Sequence, residues 1–431
     1  MYHAYNHYVI KNVELWTERG VTAQCDIEVE HGQIKAIERE LALPRGAHLI
    51  EGHGYTLIPA GVDPQVHLRV PGQAEKETAG TGLLAALRGG IGAVLSMPNT
   101  KPTIDSTEVC EAAMLELEEA AHLTGVKAYL TGCITHNMKG KASVPYQELA
   151  KWGVKAFTDD GVGVVDDNLM REAFAASEST GLPILQHAEF PGHGGVLASG
   201  PMQARLGIPA YPANAESDMV QRDIKLLKEF PRARYHVLHV SAHETLEQVA
   251  SAKQAGLSVS CEVTPHHLWF SSDDIKDDNT SFKMNPPLRG KDDRRALRHG
   301  LAEGIIDFVA TDHAPHESGA KGQNFKTSAF GTTGLETSLR VLLTLVREGV
   351  LSPQRLVQVF STKPAEFLGI SSEFGDVSPA RPMAAVLVNR GESETVSEND
   401  LYSLSKNSCF LGERLDGKIV SMFLGDRYYA F

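Results

Sequence analysis

The sequence predicts an α/β protein: a (β/α)8 TIM barrel over residues 58–370, carrying a small β-sandwich-like domain built from segments 1–57 and 371–431. Three observations predict it. Eight apolar runs recur between residues 56 and 316, most followed by a stretch with apolar spacings of three and four. Each run is apolar at its start and polar at its end, the asymmetry of a barrel whose catalytic face lies at the C-terminal ends of its strands. The flanking segments instead read as short alternating strands.

In chain order, "YVIKNVELWTERGVTAQCDIEVEHGQIKAIERE" alternates strand-like pieces with Gly-containing turns, the pattern of a small sheet layer. The eight barrel runs follow: "TLIPAGVDPQVHL", "GAVLSMPN", "KAYLTGCIT", "VKAFTDDG", "PILQHAEF", "YHVLHVSA", "LSVSCEVTPHH" and "IIDFVATDHAPH". Helical stretches such as "AGTGLLAALRGG" and "HETLEQVASAKQAG" separate them, which is the βα rhythm of a parallel barrel. After "STKPAEFLGI" the pieces "AAVLVNR" and "GKIVSMFLGDRYYAF" return to β texture and are expected to complete the first sheet.

Composition narrows the function. With 431 residues and 42% hydrophobic content the chain can bury a large core. Its net charge of −13, with no basic tract, argues against nucleic acid as a partner. Five dispersed cysteines form neither a disulfide framework nor a CxxC metal knuckle, which fits a reducing cytoplasm. No leader pattern opens the sequence and no window reaches the ~18 apolar residues of a membrane span, so a cytoplasmic protein off the membrane is expected.

The polar strand ends carry the chemistry. They supply His67 and Arg69, Asn99, Asp160, His187, His239, His266 and His267, then Asp312, His313 and His316. Side chains on one face of a strand recur every second residue. In "VKAFTDDG" that puts Asp160 with Val154, Ala156 and Thr158, and Asp159 on the opposite face with Lys155 and Phe157; "DDG" also reads simply as a tight turn before Gly161. The same parity groups Asp63, Gln65 and His67. Imidazole and carboxylate suit Zn²⁺ or a similar ion, and His67, Asp160, His187, His239 and Asp312 are enough for at least one. Asp312 can also shuttle a proton from an attacking hydroxide to a leaving nitrogen. Arg69, Asn99 and His316 suit a small substrate bearing carboxylates, because a guanidinium grips a carboxylate with two parallel bonds.

These residues, with "VDPQVHLRVPGQAEKET", "SMPNT", "AFTDDGVGV", "LQHAE", "HVLHVS", "EVTPHHL", "KMNPPLR", "DFVATDHAPH" and "FGTTGLET" in order, resemble the amidohydrolase superfamily, and within it the dihydroorotases of the long-chain bacterial type. The resemblance implies a zinc barrel interconverting N-carbamoyl-L-aspartate and L-dihydroorotate in pyrimidine synthesis. It carries over His67, Asp160, His187, His239 and Asp312 as the metal site, Asp160 as the bridging ligand and Asp312 as general acid/base. It makes Arg69, Asn99, Asn285 and His316 substrate contacts, with Phe330 and Gly331 as a backbone contact to the ring. Lys155 lies off the bridging position and reads as structural.

The departure is Gln65, which stands where such proteins carry the first histidine of His-x-His. An amide oxygen is a weaker donor than imidazole, so one or two Zn²⁺ per chain are expected, with the second site weakened. The "DVSPARPMAAVLV" segment also lacks the Gly-rich, Asp-containing turn usual in the family. Two further readings stand beside the active enzyme: an inactive scaffold subunit partnering aspartate transcarbamoylase, and another cyclic amidase such as a hydantoinase or allantoinase. A homo-oligomer is compatible with each.

Overall fold

Each of the eight predicted runs forms a barrel strand in the computed structural model, which describes residues 2–276, 278–322 and 324–431. The strands are Gly61–Val66, Ile91–Ser96, Lys127–Gly132, Ala156–Thr158, Ile184–Gln186, Tyr235–Val237, Val259–Val263 and Phe308–Val309, and they pair in parallel in that order. Backbone bridging between Val66 and His313, with the His67 amide donating to the His313 carbonyl at 2.8 Å, brings the last strand's end back to the first.

The helices alternate with the strands as the apolar spacing predicts. Ala79–Arg88 follows the first strand and starts at Thr78, whose side chain accepts from the Thr81 amide while Thr81 caps it in return. Asp167–Thr180 follows the fourth and is capped by Asp166, whose side chain accepts from the Asn168 and Leu169 amides. Longer connections carrying short extra helices, Pro201–Leu206 and Pro265–Trp269, follow the fifth and seventh strands, so they lie at the polar rim.

The flanking segments form one nine-stranded mixed sheet. Its order is His3–Ala4, Arg427–Ala430, Arg414–Leu424, Ala384–Thr395, Thr56–Pro59, His7–Thr17, Gly20–Glu30 and Gln33–Glu38, with His48–Glu51 also paired to His7–Thr17. It has an apolar core of its own, including Tyr8, Ile10, Ile27, Leu57, Leu387 and Phe423. N- and C-terminal segments meet at its centre, where Ala385 faces Pro59 and Val386 faces Ile58.

One expectation needs correction. The run "TLIPAGVDPQVHL" reads as a single barrel strand, but its first four residues, Thr56–Pro59, form a strand of the outer sheet. Pro59 has no amide hydrogen to extend a ladder, and the Ala60 amide donates to the Ala384 carbonyl at 3.0 Å. The chain therefore pairs outward through Pro59 and enters the barrel at Gly61.

Gly61 is required there. A Cβ at this position would lie 2.4 Å from the ring of Phe360, which is itself buried. Gly61→Ala is expected to destabilise the protein by about 1–3 kcal/mol through overpacking, read as a lower urea midpoint with unchanged far-UV circular dichroism. An unshifted midpoint would show that Phe360 moves aside freely.

Candidate active site

Eleven of the twelve predicted site residues line one cavity of about 220 Å³ at the polar rim of the barrel: His67, Arg69, Asn99, Asp160, His187, His239, Asn285, Asp312, His316, Phe330 and Gly331. Gln65 lies just beneath them, fully buried. Strand parity thus places residues as expected. The Gln65 amide Nε2 donates to Asp160 Oδ1 at 3.4 Å, while its carbonyl oxygen is buried without a partner among the described residues.

Asp160 is the meeting point of two groups able to hold a cation, Asp160 with His187 and His239, and Asp160 with His67 and Asp312. In the first, His187 Nδ1 is 3.0 Å from His239 Nε2 and 3.4 Å from Asp160 Oδ1. In the second, His67 Nε2 is 3.0 Å from Asp312 Oδ1 and 3.2 Å from Asp160 Oδ2. Burial disfavours an imidazolium at His187, yet bonding to Asp160 and Glu189 outweighs it and holds its pKa at about 10. Burial likewise opposes charge on Asp160, but the facing imidazoles hold its carboxyl well below the usual range. The two imidazoles and the carboxylate present a nitrogen–oxygen donor set that fits a divalent ion of the zinc type.

The neighbouring Asp159 does something else. It accepts from the Ile134 amide at 2.8 Å, the Thr135 amide at 3.0 Å and the Thr135 hydroxyl, tying the fourth strand to the loop after the third. The "DDG" stretch is therefore both turn anchor and site, one aspartate to each. Lys155 points away, its Nζ 5.1 Å from the centre of the Tyr129 ring. Asp63, grouped with Gln65 by parity, accepts from the Thr311 amide at 3.1 Å and hydroxyl at 2.6 Å, and so locks the first strand to the eighth below the cavity.

On the other wall, Arg69 Nε donates to the Pro315 carbonyl at 3.3 Å and its Nη2 to His316 Nε2 at 3.3 Å. Burial lowers the Arg69 pKa only to about 10, so the guanidinium stays charged at neutral pH. Burial, and then Arg69, pull His316 down to about 3, so its ring is neutral. With Nε2 accepting from Arg69, its proton sits on Nδ1, which has no partner among the described residues. Asn285 likewise leaves its Oδ1 unpartnered while its Nδ2 donates to Glu189 at 2.8 Å. The cavity thus offers one fixed cation, one spare donor and one spare acceptor opposite the carboxylate–imidazole cluster.

Two of the remaining strand-end histidines are tied into the loops that carry them. His267 lies between the Thr264 hydroxyl at 2.7 Å and the Pro286 carbonyl at 3.2 Å, and His313 between Glu77 at 3.4 Å and the Gly334 amide at 3.3 Å. His266 is buried with neither ring nitrogen partnered among the described residues. Glu189, which sequence reasoning passed over, sits 3.3 Å from His187 Nε2 and 2.9 Å from His193 Nε2. Its position two residues after His187, on the same strand face, was the available signal.

The model for the amidohydrolase family matches residues 56–420. A curated dihydroorotase from Bacillus cereus is 37% identical over 424 residues, covering 98% of this chain and 97% of its own, and one from Bacillus cytotoxicus is 36% identical with the same coverage. Among solved structures, an L-hydantoinase (dihydropyrimidinase) from Arthrobacter aurescens superimposes with a TM-score of 0.86 at 26% identity, covering 97% of this chain and 94% of that one.

The two adjacent aspartates are expected to separate cleanly on mutation. Asp159→Ala leaves two buried amides without an acceptor and should lower unfolding stability by about 2–4 kcal/mol while retaining metal uptake. Asp160→Asn should do the reverse, with metal content collapsing and the urea midpoint little changed. Equal effects of both on metal content would contradict this division.

Proposed function

This chain belongs to the amidohydrolase family, and on that premise we propose that it is a dihydroorotase, interconverting N-carbamoyl-L-aspartate and L-dihydroorotate in pyrimidine (UMP) synthesis. The observation that carries the reading is the shared cavity: a charged guanidinium for a carboxylate stands opposite a hydrolytic cluster in a space sized for one small ring. Arg69 would grip the substrate carboxylate, with Asn99 beside it and His316 Nδ1–H as a further donor. Asn285 Oδ1 would accept from a ring N–H, and the Phe330–Gly331 backbone would border the ring's far side.

A divalent cation held by Asp160, His187 and His239, with a second position at His67, Asp160 and Asp312, would supply Lewis-acid polarisation of the amide carbonyl and an acidified water. Asp312 is the proton carrier. Its carboxylate, 3.0 Å from His67 Nε2, takes the proton of the attacking water during ring opening and returns it to the departing ring nitrogen. In the cyclising direction the same group removes a proton from the carbamoyl nitrogen. Buried side chains around the cluster keep bulk water from competing.

A second reading, hydrolysis of another cyclic ureide, is favoured by the likeness to the L-hydantoinase. Side-by-side turnover of dihydroorotate and hydantoin decides it; preference for hydantoin would overturn the dihydroorotase reading. An inactive scaffold for aspartate transcarbamoylase has no need of this convergence of imidazole, carboxylate and guanidinium. It would be supported only by absence of turnover together with co-purification of the transcarbamoylase.

Asp312→Asn should reduce kcat by about 10² to 10⁴ with zinc content largely retained, because an amide cannot accept the proton. Arg69→Lys should raise the KM for dihydroorotate about 10- to 100-fold, since an ammonium cannot reproduce two parallel bonds. We further propose one firmly held Zn²⁺ per chain. Gln65 presents an N–H toward Asp160 where a ligand would present a lone pair, so purified protein should contain closer to one zinc than two. Gln65→His should raise zinc content by inductively coupled plasma analysis; two tight ions in the unaltered protein would overturn this count.

A further inference from the structure

The stretch "LYSLSKNSCF", residues 401–410, lies far from the barrel strands in sequence, yet it is fastened along the rim of the site. Ser403 donates its hydroxyl to Glu77, and the Leu404 amide donates to the same carboxylate at 3.1 Å. The Tyr402 and Ser403 amides donate to Glu336 at 2.8 and 3.0 Å, and the Cys409 amide to the Thr332 hydroxyl at 2.9 Å. These bonds join two separate segments, the loop after the first strand and residues 331–336.

Asn407 is the centre of this fastening. It is 8% exposed, and its amide uses both functions. Nδ2 donates to the Ala314 carbonyl at 3.1 Å and to the Gly331 carbonyl at 3.2 Å, while Oδ1 accepts from the His316 amide at 3.0 Å. Ala314, His316 and Gly331 all line the cavity. The segment so held also fixes Arg69, whose guanidinium donates to the Pro315 carbonyl and to the His316 ring. Gly331 has φ +131, and a Cβ there would lie 2.7 Å from the Ala314 side chain and 2.8 Å from its carbonyl oxygen, so the two lips approach at contact distance with Asn407 bridging them.

We propose that Asn407 is a positioning residue for the carboxylate-binding lip: from outside the barrel it sets the spacing of residues 314–316 against Gly331 and thereby the aim of Arg69 and His316. Glutamine is too long to reach all three backbone groups, and aspartate can accept from His316 but cannot donate to the two carbonyls. Asn407 does not touch the carboxylate–imidazole cluster, so its effect falls on substrate affinity and not on proton transfer. This rests on the dihydroorotase reading for its substrate, though not for its geometry.

The test is Asn407→Ala in the full chain. The KM for dihydroorotate should rise about tenfold with kcat within about threefold and zinc content unchanged, the signature of lost uniform binding. A merely structural asparagine would lower the unfolding midpoint without this split, and a catalytic one would lower kcat; either result overturns the proposal. If Asn407→Ala does not fold, Asn407→Asp is measured the same way, with the same KM increase expected. If the unaltered protein neither binds nor turns over dihydroorotate, the functional reading fails by itself. Hydrogen exchange then decides the inference: the amides of Ala314, His316 and residues 331–333 should exchange about tenfold faster in the variant while those of 107–124 do not. Equal protection at the lip would end it.

Discussion

Everything at the site is arranged around the charge on Asp160, a carboxylate buried where water cannot solvate it. Such a charge is costly unless paired. Its partners come from three other strand ends: Gln65 and His67 from the first, His187 from the fifth and His239 from the sixth, while Asp312, from the eighth, faces His67. Because each ligand rides on a different strand, the barrel's closure is what brings them together. The Asp63–Thr311 bonds and the Val66–His313 bridge, which join the first strand to the eighth directly below the cavity, therefore govern the chemistry as much as the ligands do.

Much of this was legible in the sequence because two rules of strand geometry are strong. The apolar-to-polar gradient along each run located the eight strands, and period-two parity sorted Asp160 from Asp159 and put Gln65 beside His67. What failed to show was whatever depended on pairing between distant segments. Pro59 ends an outer-sheet strand because its partner is Ala385, which no local pattern around residue 59 announces. His267 and His313 end strands as the chosen residues do; their partners, the Thr264 hydroxyl and the Glu77 carboxylate, are seen only in three dimensions. Asn407 carried no signal, being one polar residue in a polar loop whose partners are backbone atoms of two other loops.

Gln65 shows how a neutral substitution changes such a site without dismantling it. An imidazole at this position could present a lone pair to a cation; the amide instead turns its N–H toward Asp160 and leaves its own oxygen buried and unpaired. The group of Asp160, His187 and His239 is untouched by this exchange. The group of His67, Asp160 and Asp312 has Gln65 as its neighbour, and His67 lies 2.8 Å from Asn99 and 3.0 Å from Asp312. The two groups therefore differ in their surroundings, and the amide stands on the side of Asp312.

The two walls of the cavity consequently have different physical origins. The carboxylate–imidazole wall projects from strand ends, is held by charge pairing, and owes its precision to the rigid barrel. The guanidinium wall projects from loops, whose geometry the barrel alone does not determine, and there the outer segments supply the constraint: Ser403 on Glu77, Asn407 on residues 314, 316 and 331, Cys409 on Thr332. Glu77 in turn faces His313, the residue next to Asp312, so the fastening reaches the backbone beside Asp312 as well. Asp312 itself sits at φ +46, in the left-handed region that few non-glycine residues occupy and that aspartate tolerates better than most. A small sheet made from both ends of the chain is thus more than an appendage: the segment between two of its C-terminal strands reaches over the rim and fastens the loops from which Arg69 and His316 project.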